Sequence, residues 1–380
     1  MKSAFAGYIP EIPFILVDNF ENDLYKDAYF LSHYHGDHVS GLDSNALCTI
    51  LKKKNVYIYA SKVTIAIIKE THPGLSANLK VLELGSNTIS LNINNEEVFL
   101  SITTLPAGHS LGSVMFLFKY NNKNILYTGD FRISRNSVSK YSHLHSDGEP
   151  IRLDVMYVDT TFQDCCMFPK RSDVVRNAVF HIKNWLNRSE KHRVDLITCA
   201  NYGYEYICNI IYDETNLKTL VNDSHWRIYS QFPKEMYGVT NDSTSRIKLT
   251  TKYIYHNQPD DLTLEVYFSA FKWSKSKNIE EEHITVEERR LEVCFCTHCG
   301  RDELVHFVNY LKPARIVGFP EAYKTNRNMD IMFDSTFPEI DVSAEFKISP
   351  KKRKVVTERL DKGRVVKRVS RSLAGEALDW

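Results

Sequence analysis

Leu31-Ser32-His33-Tyr34-His35-Gly36-Asp37-His38 packs three imidazoles and a carboxylate into six positions, directly after an apolar run. Asp27 to Ser32 has the composition of a strand, so alternation sends His33 and His35 to one side before the chain turns at Gly36. Asp37 and His38 then face a second position. Imidazoles and carboxylates without a thiolate cluster are the donors of a dinuclear site, with two Zn2+ ions preferred and Mn2+ or Mg2+ compatible. A polar turn with coincidental histidines is the bland alternative, and the residues downstream argue against it.

Leu105-Pro106-Ala107-Gly108-His109-Ser110-Leu111-Gly112-Ser113 interrupts two apolar stretches. Glycines on either side of His109 are expected to let the backbone approach a metal closely. His109 is the third imidazole for the first ion. Asn124-Ile125-Leu126-Tyr127-Thr128-Gly129-Asp130 is an apolar strand ending in a carboxylate, and Asp130 is the natural bridge between two ions. Far along the chain, Leu291 to Thr297 reads as another strand leading to His298, which would complete the second ion.

These motifs, in this order and spacing, resemble those of metallo-β-lactamase-fold nucleases with a β-CASP domain, the branch that repairs DNA cross-links and processes DNA ends. The resemblance covers Ile12 to about Lys312. It implies an α/β fold: an αββα metallo-β-lactamase sandwich with an inserted β-CASP α/β domain. It also implies that Asp159, in Tyr157-Val158-Asp159-Thr160-Thr161-Phe162, is the acidic β-CASP motif at the metal centre, and that Asp18 stands behind the ligands as a support. Asp37, His38, Asp130, Asp159 and His298 are the candidate catalytic residues.

Composition fits a large enzyme. The chain has 380 residues, of which 43% are hydrophobic and 25% charged, enough for two cores and an ordinary globular surface. The expected division is residues 1–160 as the first part of the sandwich, 161–292 as the inserted lobe, 293–345 as the return, and 346–380 as a basic, disordered tail. Such a fold places short strands such as Phe14 to Val17 and Asn55 to Tyr59 beside a helix over Val63 to Lys69. No apolar run approaches the roughly 20 residues that span a bilayer, and Met1 to Gly7 lacks a leader pattern, so no membrane association is expected. Eight cysteines fall below disulfide-scaffold density and are expected to be reduced.

The formal net charge of +1 hides an asymmetry, because Lys347, Lys351, Lys352, Arg353, Lys354, Arg359 and further cations crowd the end of the chain. The preceding body is therefore acidic, and contacts to a nucleic-acid backbone must come from a local groove. Pro350-Lys351-Lys352-Arg353-Lys354-Val355 reads as a nuclear-import signal, which predicts nuclear localisation.

In the second lobe, Val175, Val179, Ile182 and Leu186 recur at helical spacing and form a core stripe. Val194 to Cys199 is a strand, followed by Asn201-Tyr202-Gly203-Tyr204-Glu205-Tyr206 and a helix. Strand, glycine-bearing loop and helix predict a doubly wound unit whose helix amino terminus receives a phosphate. The loop Tyr202 to Glu205 resembles the family, which makes Tyr202, Gly203 and Glu205 candidate substrate contacts, Tyr202 by stacking on a base. Family members show phosphate-binding serines after the last histidine, where this chain has Cys299-Gly300; the Gly300 N–H is the expected substitute.

A second zinc found in the β-CASP lobe of some members is expected to be absent, since the aligned positions read Leu220, Lys248 and Thr250. His256 rivals Lys248 for the middle β-CASP motif. Cys294, Cys296 and Cys299 read as small core residues rather than as a separate zinc site. His72, His143, His145, His225 and His283 fall outside any ligand frame.

The resemblance implies a 5′-3′ exonuclease and structure-specific endonuclease acting on single-stranded, overhanging or hairpin DNA. Its setting would be double-strand break repair by non-homologous end joining and interstrand cross-link repair. Two ions roughly 3.5 to 4 Å apart suit phosphodiester hydrolysis. Members with a long regulatory tail recruit a DNA-dependent protein kinase and a ligase; the short tail here argues against those partners. An RNA-processing endonuclease, a small-molecule hydrolase and a catalytically weak DNA-binding scaffold are the alternatives.

Overall fold

The computed structural model describes residues 4–165, 167–251, 261–274 and 283–325. The basic tail, the Pro350 cluster and His256 lie outside the described residues. Four parallel strands, Ile15–Val17, Ala28–Leu31, Ile58–Ala60 and Leu79–Val81, form one sheet in sequence order. A second sheet has the order Ile316–Phe319, Val155–Asp159, Lys123–Tyr127, Val114–Tyr120, Glu96–Pro106, Gly85–Ile93.

Strand alternation sorts the side chains into layers. Ala28 and Phe30 point between the two sheets, where they join Phe116, Phe118, Tyr127 and Tyr157. Phe30 meets Phe116 and Phe118 edge to face at 5.6 and 5.1 Å. Tyr29 and Leu31 point the other way, onto Leu47, Leu51, Ile65 and Ile68 of the helices Asn45–Lys54 and Lys62–Thr71. Ser61 starts the latter helix by accepting the Thr64 N–H. Across the second sheet, Met115 and Leu117 face Leu304, Phe307 and Leu311 of the helix Arg301–Leu311. The layers therefore run helix, sheet, sheet, helix, an αββα sandwich, with roughly 1.5 to 3 kcal/mol of stabilisation from each fully buried large apolar side chain.

An additional α/β domain is built on a third sheet, ordered Val239–Thr240, Thr219–Leu220, Ile247–Thr251, Arg193–Thr198, Thr263–Ser269, Arg290–Cys294, Ile284–Val286. Its pairings are parallel except at the Ile284–Val286 edge. Helices Arg171–Leu186 and Glu205–Thr215 pack on the same face, where Val175, Val179, Ile207 and Ile211 meet Leu196, Leu264, Val266 and Val293. The alternate strand residues Asp195, Glu265, Tyr267 and Glu292 are polar.

The strand leading to His298 also differs from expectation. Arg290–Cys294 pairs with Thr263–Ser269 and buries Leu291 and Val293 in the second-lobe core, rather than returning to the sandwich. The return is made by the helix Arg301–Leu311 and the strand Ile316–Phe319, which pairs with Val155–Asp159. A shared apolar cluster joins the lobes: Ile67 and Leu111 of the sandwich pack with Tyr202, Val221, Ile228 and Tyr229. No described helix is long and apolar enough to cross a membrane.

Candidate metal centre

Loops after the central strands of the sandwich, with the segment that follows Arg290–Cys294 of the second lobe, bring the expected ligands together around Asp130. From its carboxylate, His38 Nε2 lies at 3.2 Å, His33 Nε2 at 3.5 Å, His109 Nε2 at 3.6 Å and His298 Nε2 at 4.0 Å. His35 Nδ1 is 2.9 Å from His109 Nε2, and Asp37 Oδ2 is 3.8 Å from His38 Nε2. His33, His38, His109 and Asp130 are buried, whereas Asp37 and His298 side chains are 37% and 18% exposed, so the open side of the centre lies with these two.

Each imidazole is held by its outer nitrogen. His35 Nε2 donates to the Tyr202 carbonyl at 3.0 Å, and His109 Nδ1 donates to the Thr297 carbonyl at 3.0 Å. His38 Nδ1 is 2.9 Å from Asp18 Oδ2, and His298 Nδ1 is 2.8 Å from Asp159 Oδ2. Ser32 gives its hydroxyl proton to Asp18 at 2.5 Å, so its oxygen accepts from His33 Nδ1 at 2.9 Å. Such outer contacts fix the tautomer and aim the other nitrogen inward. Asp18 also accepts the Ser32 N–H and the Tyr127 hydroxyl, so one carboxylate orients two of the ligands. It sits at φ 53°, a left-handed backbone that aspartate tolerates.

The inward nitrogens fit a divalent cation. His33 Nε2 and His38 Nε2 are buried with no hydrogen-bond partner among the described residues. With their outer protons committed to carbonyls, His35 Nδ1 and His109 Nε2 present two lone pairs to each other at 2.9 Å, an arrangement that calls for a positive charge between them. Burial and the neighbouring His33 push His35 down to about 3, and burial with His298 takes His109 well below the usual histidine range, so both rings are neutral. Burial opposes charge on His38 and His298 as well, but Asp130 and Asp18 outweigh it for His38, and Asp159 and Asp130 raise His298 to about 9. Against its own burial, Asp130 is held well below the carboxylate range by His38 and His298. The oxygens and ring nitrogens form several overlapping donor groups: His33, His35, His109 and Asp130; Asp37, His38 and Asp130; and Asp130, Asp159 and His298.

The glycines beside His109 serve a different contact from the one expected. A Cβ on Gly108 (φ +67°) would lie 2.5 Å from the Arg132 carbonyl, and one on Gly112 (φ +79°) 2.4 Å from Val63 Cβ. Both allow the chain to approach protein neighbours, not an ion.

The expected substrate contacts are corrected more strongly. The Tyr202 ring is 8% exposed, packed near Tyr34, His225 and Tyr229, so it offers no open face to a base. Glu205 is buried, and accepts the Gly203 N–H at 2.9 Å, the Leu111 N–H at 3.4 Å and the Tyr229 hydroxyl at 2.9 Å. A carboxylate thus occupies the loop where a phosphate was expected. The Gly300 N–H donates to Glu303 Oε2 at 3.2 Å at the start of the helix Arg301–Leu311 and is unavailable to substrate. Lys248 and Thr250 line a separate cavity of about 400 Å³ with Asn201, Leu220 and Asn222. Cys294 and Cys296 are buried with Phe162, Cys165, Phe168 and Trp273, where burial raises both thiols, Cys294 to about 12.

Sequence reasoning missed the anchors. The carbonyls of Tyr202 and Thr297 carry no side-chain signature, while Ser32 and Tyr127 lie inside quoted motifs and were open to notice. Arg132 was also missed. It is buried, paired with Glu303 at 3.0 Å, and donates to the Cys296 and Pro169 carbonyls, both at 3.0 Å, tying the Asp130 loop to the chain around His298.

Residues 26–150 match the Metallo-beta-lactamase superfamily model. The chain is 30% identical over 352 residues to Protein artemis from Homo sapiens, spanning 86% of this chain and 50% of that protein. It is 26% identical over 370 residues to Probable RNase MJ4 from Methanocaldococcus jannaschii, spanning 81% of this chain and 84% of that one. The chain spans about half the length of the artemis relatives it matches. Among solved structures, a protein of unknown function from Enterococcus faecalis V583 is similar in fold, with TM-score 0.50 and 13% identity, covering 77% of this chain and 75% of that chain.

Proposed function

We propose, from the premise that the chain is a metallo-hydrolase of the metallo-β-lactamase superfamily related to Protein artemis and Probable RNase MJ4, that it is a metal-dependent DNA nuclease whose additional lobe is a β-CASP domain. The substrate is DNA with single-stranded, overhanging or hairpin ends, cut by 5′-3′ exonuclease and structure-specific endonuclease action. The setting is nuclear end processing in double-strand break and cross-link repair. The observation that carries the reading is the convergence of five imidazoles and Asp130 on one centre, with outer contacts from both lobes.

His33, His35 and His109 would hold one ion, Asp37, His38 and His298 the other, with Asp130 shared between them. Two zinc ions are favoured by the nitrogen-rich donor set, with Mn2+ or Mg2+ compatible. Bound divalent ions supply Lewis-acid polarisation of the phosphodiester and lower the pKa of water to about 7. The chain's own groups do the rest. Asp18, Asp159 and the two carbonyls hold the rings in place without rearrangement. Asp37, on the open side, would accept a proton from the attacking water. Hydroxide adds to phosphorus, the bond to the 3′ oxygen breaks, and that oxygen takes the proton, leaving a 5′-phosphate and a 3′-hydroxyl.

The test is incubation of the purified protein with 5′-phosphorylated single strands, hairpins and RNA, with and without chelator. DNA cleavage that the chelator stops supports the reading. Cleavage of RNA alone favours the second reading, an RNA-processing endonuclease, which rests on the coverage of 84% of Probable RNase MJ4. Binding without cleavage would leave a scaffold.

A further inference from the structure

We propose that Phe271 is a base-stacking platform that holds the nucleobase beside the scissile phosphate; this rests on the nuclease reading above. Phe271 is 70% exposed, the highest value among the large apolar side chains described. Its ring lies 5.1 Å from Phe162, which is 5% exposed and lies 5.7 Å from the His298 ring. The exposed ring is thus the outer end of an aromatic row whose inner end is a ligand imidazole, on the open side of the centre.

The row is held in place. Phe162 packs edge-on to Phe168 at 5.1 Å within the cluster of Cys165, Trp273, Cys294 and Cys296. Phe271 sits in a hydrogen-bonded turn: the Trp273 and Ser274 N–H groups donate to the Ala270 carbonyl at 3.0 and 3.1 Å, and the Ser274 hydroxyl donates to the Phe271 carbonyl at 2.9 Å. Next along the chain, Lys272 pairs with Glu292 and lies over the Trp273 ring, so its cation is tied back beside the exposed Phe271 ring.

Exposing a phenylalanine forfeits the burial that stabilises it elsewhere in the fold. A flat apolar face this near the cleavage centre suits a group that is itself flat and is joined to the phosphate being cut. A nucleobase is that group. Stacking accepts every base, since each has a π-face, so the platform confers affinity for an unpaired strand and little sequence preference. Tyr202, the aromatic side chain expected from sequence to stack, is buried and leaves this role to Phe271.

The test compares wild type, Phe271→Ala and Phe271→Trp on a 5′-phosphorylated single strand, with an abasic nucleotide walked across the cut position. The platform predicts a loss of roughly 5- to 100-fold in kcat/KM for Phe271→Ala. It predicts retention in Phe271→Trp, and one abasic position that lowers wild type by a similar factor while leaving Phe271→Ala unchanged. Fluorescence anisotropy with the same strand in chelator gives an activity-free readout, in which Phe271→Ala binds more weakly. Equal cleavage and binding by wild type and Phe271→Ala would overturn the platform and leave the nuclease standing. A wild type that binds the strand without cutting it, with weaker binding by Phe271→Ala, would sink the nuclease and, with it, the placement beside a scissile phosphate, leaving only a stacking contact with a single strand. A wild type that neither binds nor cuts would overturn both.

Discussion

His35 Nε2 and the main-chain carbonyl of Tyr202 meet at 3.0 Å across 167 positions of sequence. A ligand imidazole on the sandwich is therefore oriented by a loop of the second lobe, and that loop is clamped by Glu205 through the Gly203 N–H and the Tyr229 hydroxyl. Any shift between the lobes at this point reaches the metal centre directly.

Glu205→Gln should loosen that clamp. A neutral amide loses the charge-assisted bonds, which predicts a stability loss of about 1 to 3 kcal/mol and weaker first-ion binding. Urea unfolding and a metal titration read the two effects. An unchanged midpoint together with unchanged affinity would refute the clamp.

Asp18→Asn tests the shared support. Asparagine keeps the left-handed backbone that position 18 requires, but its NH2 cannot accept the Ser32 N–H as Oδ1 does while the remaining oxygen accepts from the Ser32 hydroxyl, His38 and Tyr127. Metal affinity should fall roughly 10- to 100-fold with the fold intact, measured by competition with a coloured chelator. Wild-type affinity in this variant would mean that His33 and His38 need no such anchor.

Loading the centre should release protons. Without metal, His298 titrates at about 9 and His38 well above the usual histidine range, so both rings are protonated at pH 7. A bound cation must displace those protons, so apparent affinity at the second position should rise with pH up to about 9, by about tenfold per pH unit for each proton displaced. Calorimetry in buffers of different ionisation heat counts the protons. Binding with none released at pH 7 would contradict the assigned ring states.

Asp302 supplies a stability prediction away from the ligands. Burial and the adjacent Glu303 raise its carboxyl to about 6, and its Oδ1 is buried with no hydrogen-bond partner among the described residues. Between pH 3.8 and about 6 the folded state binds more protons than the unfolded, so this group lowers stability as pH rises through that window. Asp302→Asn should gain about 1 kcal/mol at pH 8, after allowance for solvent screening, and nothing at pH 3.5. Guanidinium melts at the two pH values decide it, and an equal effect at both would count against the raised carboxyl.

What sequence made legible was local. His33, His35, Asp37 and His38 are set by one strand end and one turn, and the glycine-framed His109 and the strand before Asp130 follow the same logic. Residues whose roles depend on distant neighbours were not legible. Tyr202 contributes a carbonyl instead of its ring because the apolar cluster shared by the two lobes closes over the ring. Gly300 gives its N–H to Glu303, three residues on, and Glu205 points its carboxylate into its own loop. The strand before His298 was recognised as a strand, but its partner was not, because apolar alternation does not reveal which sheet will receive it. Phe271 is not legible in the sequence, because a lone phenylalanine in a strand-to-turn segment reads as core until its exposure is known.

The central claim is that these side chains grip a pair of cations about Asp130. Anomalous diffraction from metal-loaded crystals tests it most directly. The account predicts two peaks, roughly 3.5 to 4 Å apart, flanking the Asp130 carboxylate, one reached by His33, His35 and His109 and the other by Asp37, His38 and His298. A well-ordered centre with no peak beside Asp130, or with peaks bound by other residues, would contradict it.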